Sequence, residues 1–212
     1  MNPNQETFET WNKVAQQYQD KFMDMDLYND SYDLFVHSIS KSNAKLLEIG
    51  CGPGNITRYL LSKRPDFELF GIDIAPNMIE LAKQNNPTAK FEIMDTREIK
   101  NIRTKYDGII NGFCLPYLTP EESNEFISNS YDLLNQQGVL YLSFVEGNPE
   151  NSGFKVSNVG RVYFHYHLLQ EIKSQLSNHH FEEVKTIKVN YKTSETEFDV
   201  HTILIAKKID KK

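Results

Sequence analysis

The chain is poor in cysteine: Cys51 and Cys114 are its two, in 212 residues. That is too few for a disulfide scaffold and fits a reducing compartment, so a cytoplasmic location is expected. Long apolar runs are missing too. None approaches the ~18 residues a membrane helix needs, and "MNPNQETFETW" lacks the charged-then-apolar pattern of a secretory leader. No membrane partner is therefore expected. Basic runs are absent until the tail "KKIDKK", and the formal net charge is −6. A general nucleic-acid binder needs a basic face to neutralise phosphates, so nucleic acid is disfavoured as a partner. No internal repeat, low-complexity segment or linker divides the chain.

What is present is ordinary for a globular protein: 39% hydrophobic and 25% charged residues. The length suits one domain over 1–212. Its subdivisions would be a helical lid over 1–42, a ligand-binding core over 45–145, and an acceptor-site segment with closing strands over 146–212. In the lid, Trp11, Val14, Ala15, Tyr18 and Phe22 recur at helical spacing, as do Tyr32, Phe35, Val36 and Ile39. Two helices are predicted, the second capped by Asp30 or Ser31.

From Lys45 the pattern becomes short apolar runs separated by helix-length segments. "KLLEIG", "FELFGID", "KFEIMD", "YDGIING" and "GVLYLSFV" read as buried strands. Helices are predicted over Ile56–Ser62, Pro76–Gln84 and Pro120–Leu134. Pro76 and Pro120 suit first-turn positions, Thr119 with Glu122 forms a capping-box pattern, and Gly138 is placed as the stop of the third helix. Such alternation implies an α/β, doubly wound, Rossmann-like sheet. After a helix near Leu168–Leu176, "FEEVKTIKVNY" and "EFDVHTILIAKK" are joined only by "KTSET". That is too short for a crossover, so the sheet should end in an antiparallel pair.

"LLEIGCGPGNIT" follows the first strand, where open α/β sheets bind ligands. Taken alone, the glycines also suit a bare strand-to-helix turn. A phosphate-binding Walker loop would need Lys then Ser or Thr after its last glycine; Asn55 and Ile56 stand there instead. A dinucleotide loop has the spacing G-x-G-x-x-G, whereas this one is G-x-G-x-G. Glu48 precedes it and would repel a pyrophosphate but welcome a cation.

On these residues the chain resembles the class I S-adenosylmethionine-dependent methyltransferases. "LLEIGCGPGNIT" is similar to their E/D-x-G-x-G-x-G signature, "GIDIAPNMIELAKQ" to their second motif, and "FEIMDTREI", "YDGIINGFCLPYL" and "LNQQGVLYLSF" to the segments that follow. The resemblance implies a seven-stranded, mostly parallel sheet with an antiparallel C-terminal hairpin. It implies an enzyme that takes S-adenosylmethionine and leaves S-adenosylhomocysteine. Glu48, Gly50, Cys51, Gly52 and Gly54 would bind the cofactor, with Tyr18 in the lid over it. Asp73 would bind the ribose, and Ile74 and Met78 would flank the adenine. Asp95 and Thr96 would read the adenine edge, and Asn111 and Gly112 would offer carbonyls to the ammonium.

The D/N-P-P-Y/F motif of amino-group nucleic-acid methyltransferases is missing: Asn111, Gly112, Phe113 and Cys114 occupy its place. The expected acceptor is therefore a small molecule. Its candidate contacts are Trp11, Tyr28, Phe113, Tyr117, Arg161 and Tyr163, with His165 as a general base if one is used. His165 and His167 would share a strand face, but without a carboxylate they make a poor metal site, so no metal is expected. Cys51 and Cys114 follow strands that this fold makes adjacent. The alternative function is a non-catalytic protein that keeps the fold and binds the cofactor or a partner.

Overall fold

The computed structural model describes residues 3–157 and 160–210. Met1, Asn2, Asn158, Val159, Lys211 and Lys212, which fall inside the expected lid, acceptor segment and basic tail, lie outside the described residues.

Strands β1 (Lys45–Ile49), β2 (Glu68–Asp73), β3 (Lys90–Ile93), β4 (Tyr106–Asn111) and β5 (Leu134–Val145) are joined to β8 (Phe181–Lys192) and β9 (Phe198–Lys208) in one seven-stranded sheet, ordered β3-β2-β1-β4-β5-β9-β8. β1 to β5 run parallel, and β9 is antiparallel to both β5 and β8. The expected doubly wound sheet with a reversed closing strand is therefore observed. Order reverses between β1 and β4, so a crevice opens beyond their carboxyl ends. A separate hairpin, β6 (Gly153–Ser157) with β7 (Gly160–Phe164), pairs outside this sheet.

The central strands are apolar on both faces because helices cover both. On β5, Leu140, Leu142 and Phe144 pack with Leu47, Ile49, Ile109 and Ile127 in one buried cluster, while Val139 and Tyr141 pack with Phe35, Leu46, Leu60 and Ile110 in the other. The helices behind these clusters are α3 (Asn29–His37), α4 (Asn55–Lys63), α6 (Pro120–Leu133) and α7 (Leu169–Asn178), while α5 (Pro76–Asn85) packs through Met78, Ile79 and Ala82 in two smaller clusters. The capping box at α6 is complete: Thr119 Oγ1 accepts from Glu122 N at 3.2 Å, and Thr119 N donates to Glu122 Oε2 at 2.8 Å. Such a cap contributes about 1 kcal/mol. No helix of the described residues is long and apolar enough to cross a membrane.

Three local readings need correction. The N-terminal segment forms not two helices but α1 (Pro3–Lys13), α2 (Ala15–Phe22) and α3, with a break at Val14. Periodicity carries across that break, so spacing alone does not reveal it. Neither Asp30 nor Ser31 caps α3; Tyr28 is at the cap, and Ser31 Oγ donates back to its carbonyl at 2.6 Å. Gly138 does not stop α6 but lies inside β5, where a Cβ would come 2.8 Å from the Asn135 carbonyl oxygen. The positive φ of that kink falls on Gln137, at 63°.

α1 and α2 roof the crevice, and polar ties fix them there. Asn77 N and Nδ2 donate to Asn12 Oδ1 and O at 2.9 and 2.8 Å, and Asn85 Nδ2 donates to Gln19 Oε1 at 2.7 Å. On its other side α1 is held by β7, through Thr10 Oγ1 to Arg161 O and Tyr163 N to Thr7 Oγ1, both 2.8 Å.

Candidate active site

The turn after β1 is built from glycines because its backbone requires them. Gly50, Gly52 and Gly54 have φ of 65°, 52° and 82°, where L side chains are strained. A Cβ at Gly50 would press to 3.0 Å from Cys114 Cβ, and one at Gly54 to 2.3 Å from Asn86 Nδ2. That amide donates to the Gly54 carbonyl at 3.0 Å and pins the start of α4. Gly54→Val should therefore lower stability by about 2 kcal/mol or more. Urea unfolding checks this; an unchanged midpoint would refute the steric account.

Asp73, at the end of β2, organises this turn. Its Oδ2 accepts from Gly52 N and its Oδ1 from Ala75 N, each at 2.9 Å. Two lone-pair positions remain on the carboxylate for a ligand's hydroxyls. Burial raises its pKa above the usual aspartate value, against those two backbone bonds. Glu48 lies beneath the turn, 1% exposed. Its Oε2 accepts a short hydrogen bond from Thr57 Oγ1, while Oε1 has no partner among the described residues. Burial, with some help from Asp73, pushes its pKa up to about 8. A buried acid beside a half-buried one makes the floor of the crevice receptive to positive charge and hostile to pyrophosphate.

Above this floor is a cavity of about 360 Å³, within the range of small-ligand sites. Of the residues singled out in the sequence, Trp11, Tyr18, Tyr28, Gly50, Cys51, Gly52, Asp73, Ile74, Met78, Asp95, Thr96, Gly112, Phe113 and Tyr117 line it. Glu48, Gly54 and Asn111 support it from outside. Asn111 Oδ1 accepts from Cys114 N at 3.2 Å and Leu115 N at 3.3 Å, shaping the turn after β4. Cys51 and Cys114 both border the cavity as free thiols. Thr96 Oγ1 lies 3.2 Å from Cys114 Sγ.

Arg161, Tyr163 and His165 are not among the lining residues. The hairpin that carries them braces the lid instead. Arg161 forms an ion pair with Glu6 and lays its guanidinium 4.1 Å from the Phe154 ring centre. His165 lies just past β7, its backbone N donating to Pro116 O at 2.7 Å and its ring 4.9 Å from that of Tyr163. His167 is buried, and its Nε2 donates to Leu115 O at 3.0 Å. The strand ends at Phe164, so these two histidines do not share a strand face.

The histidine that does line the cavity is His201, on β9. Its Nδ1 is 2.6 Å from the Tyr28 hydroxyl, and its ring stacks on Tyr191 at 4.7 Å and 7°. Phe113 closes this corner, 4.8 Å from His201 and 5.0 Å from Tyr28 between ring centres. Phe113 has a φ of 60°, an uncommon position for a bulky residue and one that clusters at functional sites. Burial pushes His201 down to about 4, so it is neutral at physiological pH. Asp199, two residues earlier on the same strand, lines the cavity as well. One signal did exist: β9 is antiparallel, so its beginning lies at the carboxyl end of β5, with His201 opposite Val145. The sequence also hid the part played by Arg97. It grips Asp95 Oδ1 at 3.1 Å, Glu122 Oε1 at 2.5 Å and the Tyr117 carbonyl at 3.0 Å.

Residues 46–138 match a family described as "Methyltransferase domain". The chain is 30% identical over 122 residues to carboxy-S-adenosyl-L-methionine synthase of Campylobacter hominis, an overlap of 55% of this chain and 52% of that one. It is 34% identical over 106 residues to malonyl-[acyl-carrier protein] O-methyltransferase of Acetivibrio thermocellus, 49% of this chain and 36% of that one. The chain thus spans about a third to a half of these curated relatives. Its fold superposes on magnesium protoporphyrin IX methyltransferase from Synechocystis PCC 6803 with a TM-score of 0.74, at 17% identity, over 99% of this chain and 98% of that one. Residues 46–138 thus match a methyltransferase domain, and the strand order and superposition show the Rossmann-like methyltransferase fold.

Proposed function

We propose that this protein catalyses methyl transfer from S-adenosylmethionine to a small-molecule acceptor in the cytoplasm, with neither nucleic acid nor membrane as partner. The observation that carries the reading is one cavity, floored by Gly50, Gly52 and Asp73, that continues past the lid to Tyr28, Phe113 and His201. A protein that only held the cofactor would not need that adjoining space.

The residues fit the cofactor. Asp73 retains acceptor positions for ribose hydroxyls, and Asp95 with the Thr96 backbone would read the adenine edge. Ile74 and Met78 offer apolar surface to its ring. Gly50, Cys51, Gly52 and the Gly112 carbonyl would surround the methionine end, above Glu48, whose ionisation a cation there would favour. When bound, the sulfonium supplies both an activated methyl and a good leaving group. The protein's task is then to hold the nucleophile in line and keep water out, and positioning alone is worth ~7–11 kcal/mol. Trp11, Tyr18 and Tyr117 close the roof over that space; Trp11 meets Tyr18 at 5.6 Å and Tyr117 at 5.9 Å between ring centres. His201, not His165, is the histidine beside the acceptor space, and burial keeps it neutral.

Calorimetric titration tests the reading. Saturable binding of S-adenosylmethionine and S-adenosylhomocysteine is expected, with none of NAD. A folded protein that bound neither of the first two would refute it.

A further inference from the structure

The far half of the cavity has a chemistry of its own. Tyr28, Phe113, Tyr191 and His201 form its walls, and Asp199 is at its edge. No hydrogen bond or ion pair holds the Asp199 carboxylate among the described residues. The only Lys or Arg among the described lining residues is Arg97, which is committed to Asp95, Glu122 and the Tyr117 carbonyl. The Lys21 ammonium lies over the Phe22 ring at 4.9 Å and the Tyr191 ring at 5.9 Å, and Lys21 does not line the cavity. The Lys188 ammonium, on β8, is paired with Glu146 at 2.8 Å.

An anionic acceptor would find no unpaired Lys or Arg among the described residues that line the cavity. A carboxylate would meet Asp199 and an aromatic lining that offers it no counter-charge. A cation is met in the opposite way: aromatic faces and one free carboxylate are how proteins recognise ammonium groups. Resting on the methyl-transfer reading above, we propose that the acceptor is an amine, held between the aromatic walls formed by Tyr28, Phe113 and Tyr191 with Asp199 setting the preference for nitrogen.

The transfer suits that site. The lone pair of a neutral amine forms the new N–C bond as the C–S bond breaks and leaves its electrons on sulfur. The positive charge thereby moves from sulfur to nitrogen, toward Asp199 and the ring faces, and the product ammonium then releases its proton to solvent. Transfer to a carboxylate would instead cancel charge at the very place where this cavity favours it. His201 contributes by staying neutral, with its ring held between the Tyr28 hydroxyl and the face of Tyr191. A protonated imidazole there would oppose the charge developing on nitrogen.

The test separates this inference from the reading beneath it. The intact protein, saturated with S-adenosylhomocysteine, is titrated with benzyltrimethylammonium and, separately, with phenylacetate. The cation should bind and the anion should not. Asp199→Asn should weaken the cation about fivefold to tenfold while leaving affinity for S-adenosylhomocysteine unchanged; Asp199→Glu should restore most of the loss. Tyr191→Leu should weaken the cation as well, through the aromatic wall alone. Equal or tighter binding of phenylacetate, no binding of the cation, or indifference to Asp199→Asn would overturn the amine assignment while the methyltransferase reading stands. Failure of S-adenosylhomocysteine itself to bind would overturn both.

Discussion

Asp73→Ala is expected to cost the protein at least ~50-fold in affinity for S-adenosylmethionine. The carboxylate accepts from Gly52 N and Ala75 N, each at 2.9 Å, and would accept the ribose hydroxyls with its remaining lone pairs. Hydrogen bonds to a charged group are worth about 1.5–3 kcal/mol each, so losing the ligand's pair reaches that factor readily. The two orphaned backbone N–H groups would also let the glycine turn relax, which spoils the surface against which the methionine end lies. Asp73→Asn should fall in between, because an amide keeps one acceptor but points donors at groups that already donate. Calorimetry reads the effect, with a thermal melt to show that each variant is folded. Binding within threefold of the original protein would end the ribose assignment. The pH dependence has a definite sign as well. The charged form of Asp73 binds, and burial raises its pKa, so affinity should begin to fall at a higher pH than for an ordinary aspartate.

The half of the molecule that carries Asp73 was legible in the sequence because its chemistry is local. A glycine at positive φ, a carboxylate ending a strand and a proline opening a helix each leave their mark within a few residues, and the parallel strands space those marks regularly. Gly50, Gly52, Asp73, Pro76 and Asp95 are therefore legible from their sequence neighbours alone. Long-range partners leave no such mark. Tyr28 and His201 are 173 positions apart yet hydrogen-bonded at 2.6 Å, and no residue next to His201 in "EFDVHTILI" distinguishes a cavity-lining histidine from a solvated one. "RVYFHYH" misled for the converse reason: it is rich in residues that do chemistry, but the hairpin turns them against α1 and α2's roof rather than beneath it. Thr7, Thr10 and Glu6 take up its backbone and its arginine. Composition marks a segment as capable of function; topology decides which segment faces the ligand.

Topology also explains why the acceptor corner is assembled from late strands. β5 delivers Val145 to the carboxyl end of the parallel sheet, and the reversal of β9 brings His201 and Asp199 to the same level. β8 then sets Tyr191 opposite Asp199. On the proposed reading the cofactor half is thus built by the parallel core and the acceptor half by the antiparallel addition, so the second could change its chemistry while the first kept its ligand.

Glu48 shows what the donor half gives up for its electrostatics, and Glu48→Gln should expose it. In the folded, ligand-free protein the carboxyl is pushed up to about 8 by burial, against an ordinary value of 4.5. Between those values the folded state holds a proton that the unfolded state has released, so stability falls as pH rises through the window. Below it the contribution is level; above it the whole penalty is present. A tenfold difference in proton affinity is about 1.4 kcal/mol, which bounds the loss at roughly 4–5 kcal/mol. Glutamine has nearly the same shape and no charge to desolvate. Denaturant unfolding at pH 5 and pH 9, without ligand, should find the two proteins alike at the lower pH and the variant more stable by a few kcal/mol at the higher. Taking the difference between the proteins cancels the opposite contribution of His165, His167 and His201, whose lowered pKa values favour folding as pH rises. Matching slopes for the two proteins would mean that Glu48 is ionised as easily as an exposed glutamate, and that its carboxylate shares the negative floor of the ligand-free site with Asp73. The variant's added stability should come with weaker binding of S-adenosylmethionine, because the unpartnered oxygen of Glu48 is what a cation above the glycine turn would neutralise.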